Sequence, residues 1–239
     1  MQTKNKTYAT LSQQEENMLS QTMEFVKKWH SKDNTGHDFS HVMRVYQNAC
    51  LLLKSTPANP FVVQMAALLH DVDDKKLNLG DRQVEKFLHE IQVPSAQIRQ
   101  ITDTIVPTAF RTTGDSPHLD TLEQAILFDA DKLDAIGSIG ICRTIMYGAA
   151  KNRPLFNADV FPKLDLTKEE YSNQYRTDET TIGHFFDKSL KLSAIMQTKA
   201  GKKEAAKRHK IMVKFLIEFF EEQDQDKWIA FLKNYLKQH

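Results

Sequence analysis

The chain has 239 residues, of which 41% are hydrophobic and 26% charged, with a formal net charge of +1. That composition supports a sizeable core and excludes global disorder, and the near balance of charge gives no broad footprint for nucleic acid. The polar start MQTKNKTYATLSQQEEN lacks an apolar signal segment, and no run of about 18 apolar residues occurs, so the expectation is a cytoplasmic protein with no membrane span.

Breakers are few, with 8 Gly and 7 Pro, and apolar residues recur at helical spacing. Met18, Met23, Phe25, Val26 and Trp29 predict an amphipathic helix over 12–29, closed by a turn at 33–36. A second helix is expected over 40–54. The stretch FVVQMAALLH (61–70) is apolar on nearly all sides, as for a helix buried inside a bundle. Helices over 81–92 and 95–106 follow, the latter with Ser95 as N-cap after Pro94. Residues 110–118 read as a loop. A helical region over 122–133 continues to about 150, where Gly137 and Gly140 permit a bend. Residues 151–178 read as a long irregular segment, a lid or substrate wall. Helices over 181–196, 202–222 and 226–238 complete the chain, and no strand stands out. Cys50 and Cys142 lie among apolar neighbours, which predicts core side chains rather than a disulfide framework.

Four pieces carry chemistry. They are GHDFSHVMRV (36–45), ALLHDVDDKK (67–76), DADKLDAIGSIGICRT (129–144) and TTIGHFFDKSLKL (180–192). Imidazole nitrogen with carboxylate oxygen suits a borderline to hard divalent ion, and the lack of nearby thiolates argues against a structural zinc site. His70 and Asp71 are adjacent and diverge by about 100° on a regular helix, so they converge on one ion only if the helix ends there. A polar pair closing a buried helix needs a partner, and a metal serves both. Taken singly, each piece reads as a polar helix end, a surface face or an acidic segment.

In order, with these flanks, the sequence resembles the HD-domain superfamily of metal-dependent phosphohydrolases. More narrowly it is similar to the bacterial HD nucleotide pyrophosphohydrolase group, over residues 34 to 222. The resemblance implies an all-α helical bundle, a single HD-type domain over 1–239 with its motif core at about 34–222 and a C-terminal helical extension at 223–239. It implies His41, His70, Asp71 and Asp131 as metal ligands. Asp131 is chosen over Asp129 because the family ligand directly precedes a basic-Leu pair, here Lys132-Leu133. Asp74, four positions after His70, takes the place of the group's acid/base or water-orienting residue, and Lys76 takes a place that is basic in that group.

Arg44, one helical turn from His41, is a candidate phosphate or carboxylate contact. Arg143, His184 and Lys188 are candidate phosphate or supporting contacts, the last two sharing a helix face, and His37 is a candidate orienter. His30, His89, His118, His209 and His239 read as surface histidines, and Asp73 as a solvated residue. Four protein ligands leave about two octahedral positions for water and substrate, which favours Mn²⁺, with Mg²⁺, Co²⁺, Ni²⁺ or Fe²⁺ as alternatives. The expected substrate is a small-molecule nucleotide, a nucleoside triphosphate cleaved to monophosphate and pyrophosphate. Rival readings are a nucleoside monophosphate phosphatase, a cyclic-nucleotide phosphodiesterase, or a nucleotide-binding regulatory module without catalysis. A nuclease is disfavoured by the charge balance, and no phosphate-cradling P-loop is present. The oligomeric state is left open.

Overall fold

The computed structural model of the chain describes residues 11–32, 38–73, 82–105, 118–164 and 180–238. Among them the regular structure is entirely helical. In chain order the helices are α1 (Gln13–Trp29), α2 (Phe39–Leu53), α3 (Pro60–Leu69), α4 (Gln83–Glu90), α5 (Ser95–Ile105), α6 (Leu122–Asp134), α7 (Gly137–Ala150), α8 (Gly183–Asp187), α9 (Lys199–Glu221) and α10 (Asp226–Gln238). The expected all-α fold is what the chain adopts. None of these helices is long and apolar enough to cross a membrane. Contacts divide the chain into two compact units. One comprises Met1–Thr108 and His118–Asp131, the other Ala109–Pro117 and Lys132–His239, so the division falls within α6.

The first unit is organised around α3, which packs against α1, α2 and α5. Phe61 through Leu69 are all buried, consistent with a stretch that has no polar face to give to solvent. Pro60 supplies a fixed φ at the first helical position, and the Asn59 side chain accepts the backbone N–H groups of Phe61 and Val62. α1 opens with a capping box between Ser12 and Glu15, and its Phe25 stacks on Phe87 of α4 at 4.0 Å between ring centroids. The backbone N–H of Asn59 donates to Glu123 at 2.8 Å, and Gln124 donates to the Asp103 carbonyl at 2.9 Å, which ties α6 to the starts and ends of its neighbours.

In α4 the N-cap residue Arg82 has φ +43° and makes no capping bond. Asp73, expected merely to be solvated, supplies the cap from upstream in the chain, its carboxylate accepting from Gln83 N at 2.9 Å and Val84 N at 3.3 Å. Ser95 is the first residue of α5 rather than its cap, and the Pro94 carbonyl accepts from Gln97 and Ile98. His30, read as a surface residue, is 3% exposed at the end of α1.

In the second unit α7 packs against α9, and α9 against α10. The helical region after Asp134 breaks at Ala135 and Ile136, and Gly137 restarts it with φ +73°, a conformation that favours glycine. α10 completes this unit's core: Trp228, Leu232 and Tyr235 are buried, and Trp228 stacks on Phe161 at 4.4 Å. Trp228 Nε1 donates to the Ala158 carbonyl at 2.9 Å, and Tyr235 donates to the Phe186 carbonyl at 3.1 Å. The described part of the 151–178 segment is thereby pinned by aromatic packing, and Pro154 and Leu155 accept backbone bonds from Thr181 and Ile182. Residues 165–178 lie outside the described residues.

The helix expected over 181–196 is instead the short α8 followed by a 3-10 turn at Ser189–Lys191. Lys188, at φ −136° and ψ −63°, interrupts the helical path between them. It therefore sits past the end of α8, and the predicted shared helix face with His184 does not form. Cys50 is half-buried and Cys142 exposed on α7, so the latter is no core residue.

Candidate metal centre

Three chain segments of the first unit bring the predicted ligands together. His41 occupies the first turn of α2, where the Asp38 carboxylate caps the helix by accepting the His41 backbone N–H at 2.8 Å. α3 ends at Leu69, and the chain turns at once, with Val72 N–H donating to the Leu69 carbonyl at 3.1 Å. That ending frees His70 and Asp71 from the divergence a continuing helix would impose. Asp131 comes from α6.

The side chains meet tip to tip. His70 Nε2 is 3.3 Å from Asp71 Oδ2, Asp71 Oδ2 is 3.4 Å from His41 Nε2, and His41 Nε2 is 3.7 Å from Asp131 Oδ1. His41, His70 and Asp71 each offer a donor atom within 4.8 Å of the others, and all three are buried. Asp131 flanks this trio on the His41 side, its side chain 21% exposed. Asp129, two residues earlier, is fully buried. Positions two apart lie on opposing faces of a helix, so only one of the pair can point at a given site.

The 3.3 and 3.4 Å separations at Asp71 fit a shared cation, while Asp131 stands slightly farther out, 3.7 Å from His41. Two donors each about 2.1 Å from one ion, at angles of about 90–110°, stand about 3.0–3.4 Å apart. The chemistry of His70 makes the same point. Its Nδ1 lies 2.9 Å from the Ala67 carbonyl, one of the oxygens that a helix end leaves without an intrahelical partner. A ring that donates from Nδ1 carries a lone pair on Nε2 when neutral. Nε2 is buried, has no hydrogen-bond partner and faces a carboxylate. Acceptor facing acceptor is repulsive unless a proton or a metal ion sits with them. Burial alone pushes the His70 pKa down, but the Asp71 and Asp131 carboxylates outweigh it and the pKa is raised. The site draws positive charge.

Of the remaining predicted site residues, Arg44 is half-buried on α2, one turn beyond His41. His37, Asp74 and Lys76 lie outside the described residues. Arg143, His184 and Lys188 belong to the second unit. There Arg143 forms an ion pair with the buried Asp134 at 3.0 Å, and the His184 ring lies 5.7 Å from that of Tyr147. Two further residues brace the segments that carry the candidate ligands. Asp38 has the familiar signal of an Asp placed just before an apolar-periodic helix. Asn48 is a polar residue on the apolar stripe of Val45, Ala49 and Leu52, and its Nδ2 donates to the Ala130 carbonyl of α6 at 3.0 Å.

The HD-domain family model matches residues 38–136, which contain the whole cluster. The Bacillus subtilis protein YpgQ is 30% identical over 189 residues, spanning 77% of this chain and 83% of that protein. Among solved structures, an HD-superfamily hydrolase from Bacillus thuringiensis is 32% identical, with a TM-score of 0.70 over 88% of this chain and 98% of that one. The crystal structure of Bacillus subtilis YpgQ in complex with ADP is 25% identical, with a TM-score of 0.69 over 87% of this chain and 96% of that one.

Proposed function

Since the chain belongs to the HD-domain family, we propose that it is a metal-dependent phosphohydrolase that cleaves nucleoside triphosphates to monophosphate and pyrophosphate. Its ligands in this reading are His41, His70, Asp71 and Asp131. The observation that carries it is the buried meeting of His41, His70 and Asp71 donor atoms within 4.8 Å. Imidazole and carboxylate donors suit Mn²⁺, with Mg²⁺, Co²⁺, Ni²⁺ and Fe²⁺ as alternatives. A nucleoside phosphate substrate is supported by the ADP held in the YpgQ crystal structure.

A bound divalent ion supplies a polarised phosphoryl oxygen and a water of lowered pKa. The protein's part is to hold the donors still. The Ala67 carbonyl fixes the tautomer and direction of His70, and Asp38 fixes the helical turn that carries His41. Asp74 takes the proton of the attacking water, and Lys76 and Arg44 offset phosphate charge. One water adds across the anhydride between the α and β phosphates, releasing the two products.

The test is a panel of nucleotides offered to chelator-treated protein with Mn²⁺, Mg²⁺, Co²⁺ or Ni²⁺, with every product separated and identified. Monophosphate and pyrophosphate in equal amounts are the expected result. Inorganic phosphate from monophosphates, or a ring-opened cyclic nucleotide, would move the protein to the rival hydrolases. Nucleotide binding without turnover under any of the metals would make it a regulatory module.

A further inference from the structure

We propose that Asn48 is a positioning residue for the metal centre, holding Asp131 in register with His41. The inference rests on the metal-site reading above and extends it to a residue outside the ligand set. His41 and Asn48 are seven residues apart on α2, two helical turns, so they lie on one face to within about 20°. From that face His41 Nε2 approaches Asp131 Oδ1 at 3.7 Å, while Asn48 Nδ2 donates to the Ala130 carbonyl at 3.0 Å. Both partners sit on consecutive residues of α6.

The carbonyl that Asn48 binds belongs to the peptide plane joining Ala130 to Asp131. Six atoms of that plane, from one Cα to the next, move as a unit. Holding its oxygen restrains the Cα of Asp131, and with it the origin of the candidate ligand side chain. The approach at His41 and the hydrogen bond at Asn48 both tie α2 to α6 near the site. Apolar contact alone would leave the axial register less sharply defined, since side chains slide over one another more easily than a directed bond stretches.

The position is otherwise suited to a hydrophobic residue. Asn48 is 7% exposed and Ala130 fully buried, with Val45, Ala49 and Leu52 on the same stripe. A buried amide costs free energy unless it is bonded, so a polar side chain here points to register rather than to packing as its task. Partners that orient a ligand without touching the ion typically change metal affinity by about 10–100-fold when removed.

The experiment compares the full-length parent with Asn48→Leu, Asp131→Asn and the double variant, each stripped with chelator. Mn²⁺ affinity is measured by calorimetry at a temperature where circular dichroism shows every protein folded, and the visible absorption of bound Co²⁺ reports the ligand arrangement. Asn48→Leu is expected to bind Mn²⁺ about 10–100-fold more weakly and to change the Co²⁺ spectrum. In the Asp131→Asn background the same change should weaken binding much less, because the residue acts through Asp131. Should Asn48→Leu not fold, Asn48→Ser, smaller and still polar, is put through the same cycle. A folded variant with the parent's affinity and spectrum overturns the positioning role, as does a fully additive double variant. A parent that takes up neither Mn²⁺ nor Co²⁺ overturns the metal-site reading itself.

Discussion

His70 Nδ1 lies 2.9 Å from the carbonyl oxygen of Ala67, three residues back on α3, so the helix orients the imidazole that ends it. One hydrogen bond thus satisfies an orphan carbonyl, selects the tautomer and aims Nε2 at Asp71, 3.3 Å away. The candidate ligand is built from the fold rather than hung upon it.

The first prediction follows from that arrangement. Protein dialysed against EDTA and returned to Mn²⁺ at about a hundred times its dissociation constant should gain about 2.7 kcal/mol of stability. That appears as a rise of several degrees in the melting temperature. His70→Ala and His41→Ala should lose the rise while remaining folded before Mn²⁺ is added. Scanning fluorimetry with and without the ion measures both, and an unchanged response in His70→Ala would remove it from the ligand set.

A second prediction separates capping from catalysis at neighbouring aspartates. Asp73 accepts two backbone N–H groups at the start of α4, at 2.9 and 3.3 Å. Asp73→Ala should therefore cost about 0.5–2 kcal/mol, the usual range for a lost cap, read from urea unfolding. Mn²⁺ affinity should stay at the parent's value, since no ligand has been touched. A folded Asp73→Ala that loses the ion would show the carboxylate to be part of the metal centre.

Much of this was legible beforehand, for stated reasons. α3 announced itself because 61–70 has no polar side, and the pieces that converge at the candidate centre because His and Asp recur with recognisable flanks. Three features were hidden because they depend on contacts far apart in the chain. The Asp73 cap acts on residues ten positions away, which no local capping pattern encodes. The bond from Asn48 to Ala130 spans 82 positions. The core formed by Trp228, Phe156 and Phe161 absorbs a segment whose polar and Pro-containing composition reads as a surface loop. The break at Lys188 was missed because 181–196 carries no Pro and only one Gly, Gly183, and the departure is a matter of one residue's backbone.

A third prediction concerns acid stability in the second unit. His209 lies 3.2 Å from the Ser193 hydroxyl, and burial holds its pKa below the ordinary 6.5. The folded chain therefore favours the neutral ring more than the unfolded chain does. Its contribution to stability is complete above about pH 6.5 and is lost as pH falls towards and through the lower folded value. His209→Gln, which cannot take up the proton, should flatten that part of the melting-temperature profile between about pH 6.5 and 5. Parallel curves for parent and variant would show that other groups carry the slope.

The last prediction assigns the two carboxylates that follow His70. Asp71 Oδ2 lies within 3.4 Å of both imidazole Nε2 atoms, so Asp71→Asn should weaken the hold on the ion, and its activity should partly recover in excess metal. Asp74, three residues on, is proposed to handle the proton of the attacking water without ligating the ion. Asp74→Asn should then keep its metal complement while single-turnover cleavage falls by about 10²–10⁴-fold, the scale of a lost general acid or base. Bound metal and single-turnover rates, measured for both variants beside the parent, distinguish three roles. Normal turnover in Asp74→Asn with full metal would leave Asp74 a structural residue. Metal loss in that variant would make it a ligand. Slow cleavage with full metal is the outcome expected of the proposed role, in which Asp74 takes the proton of the attacking water and leaves the ion to the other carboxylates.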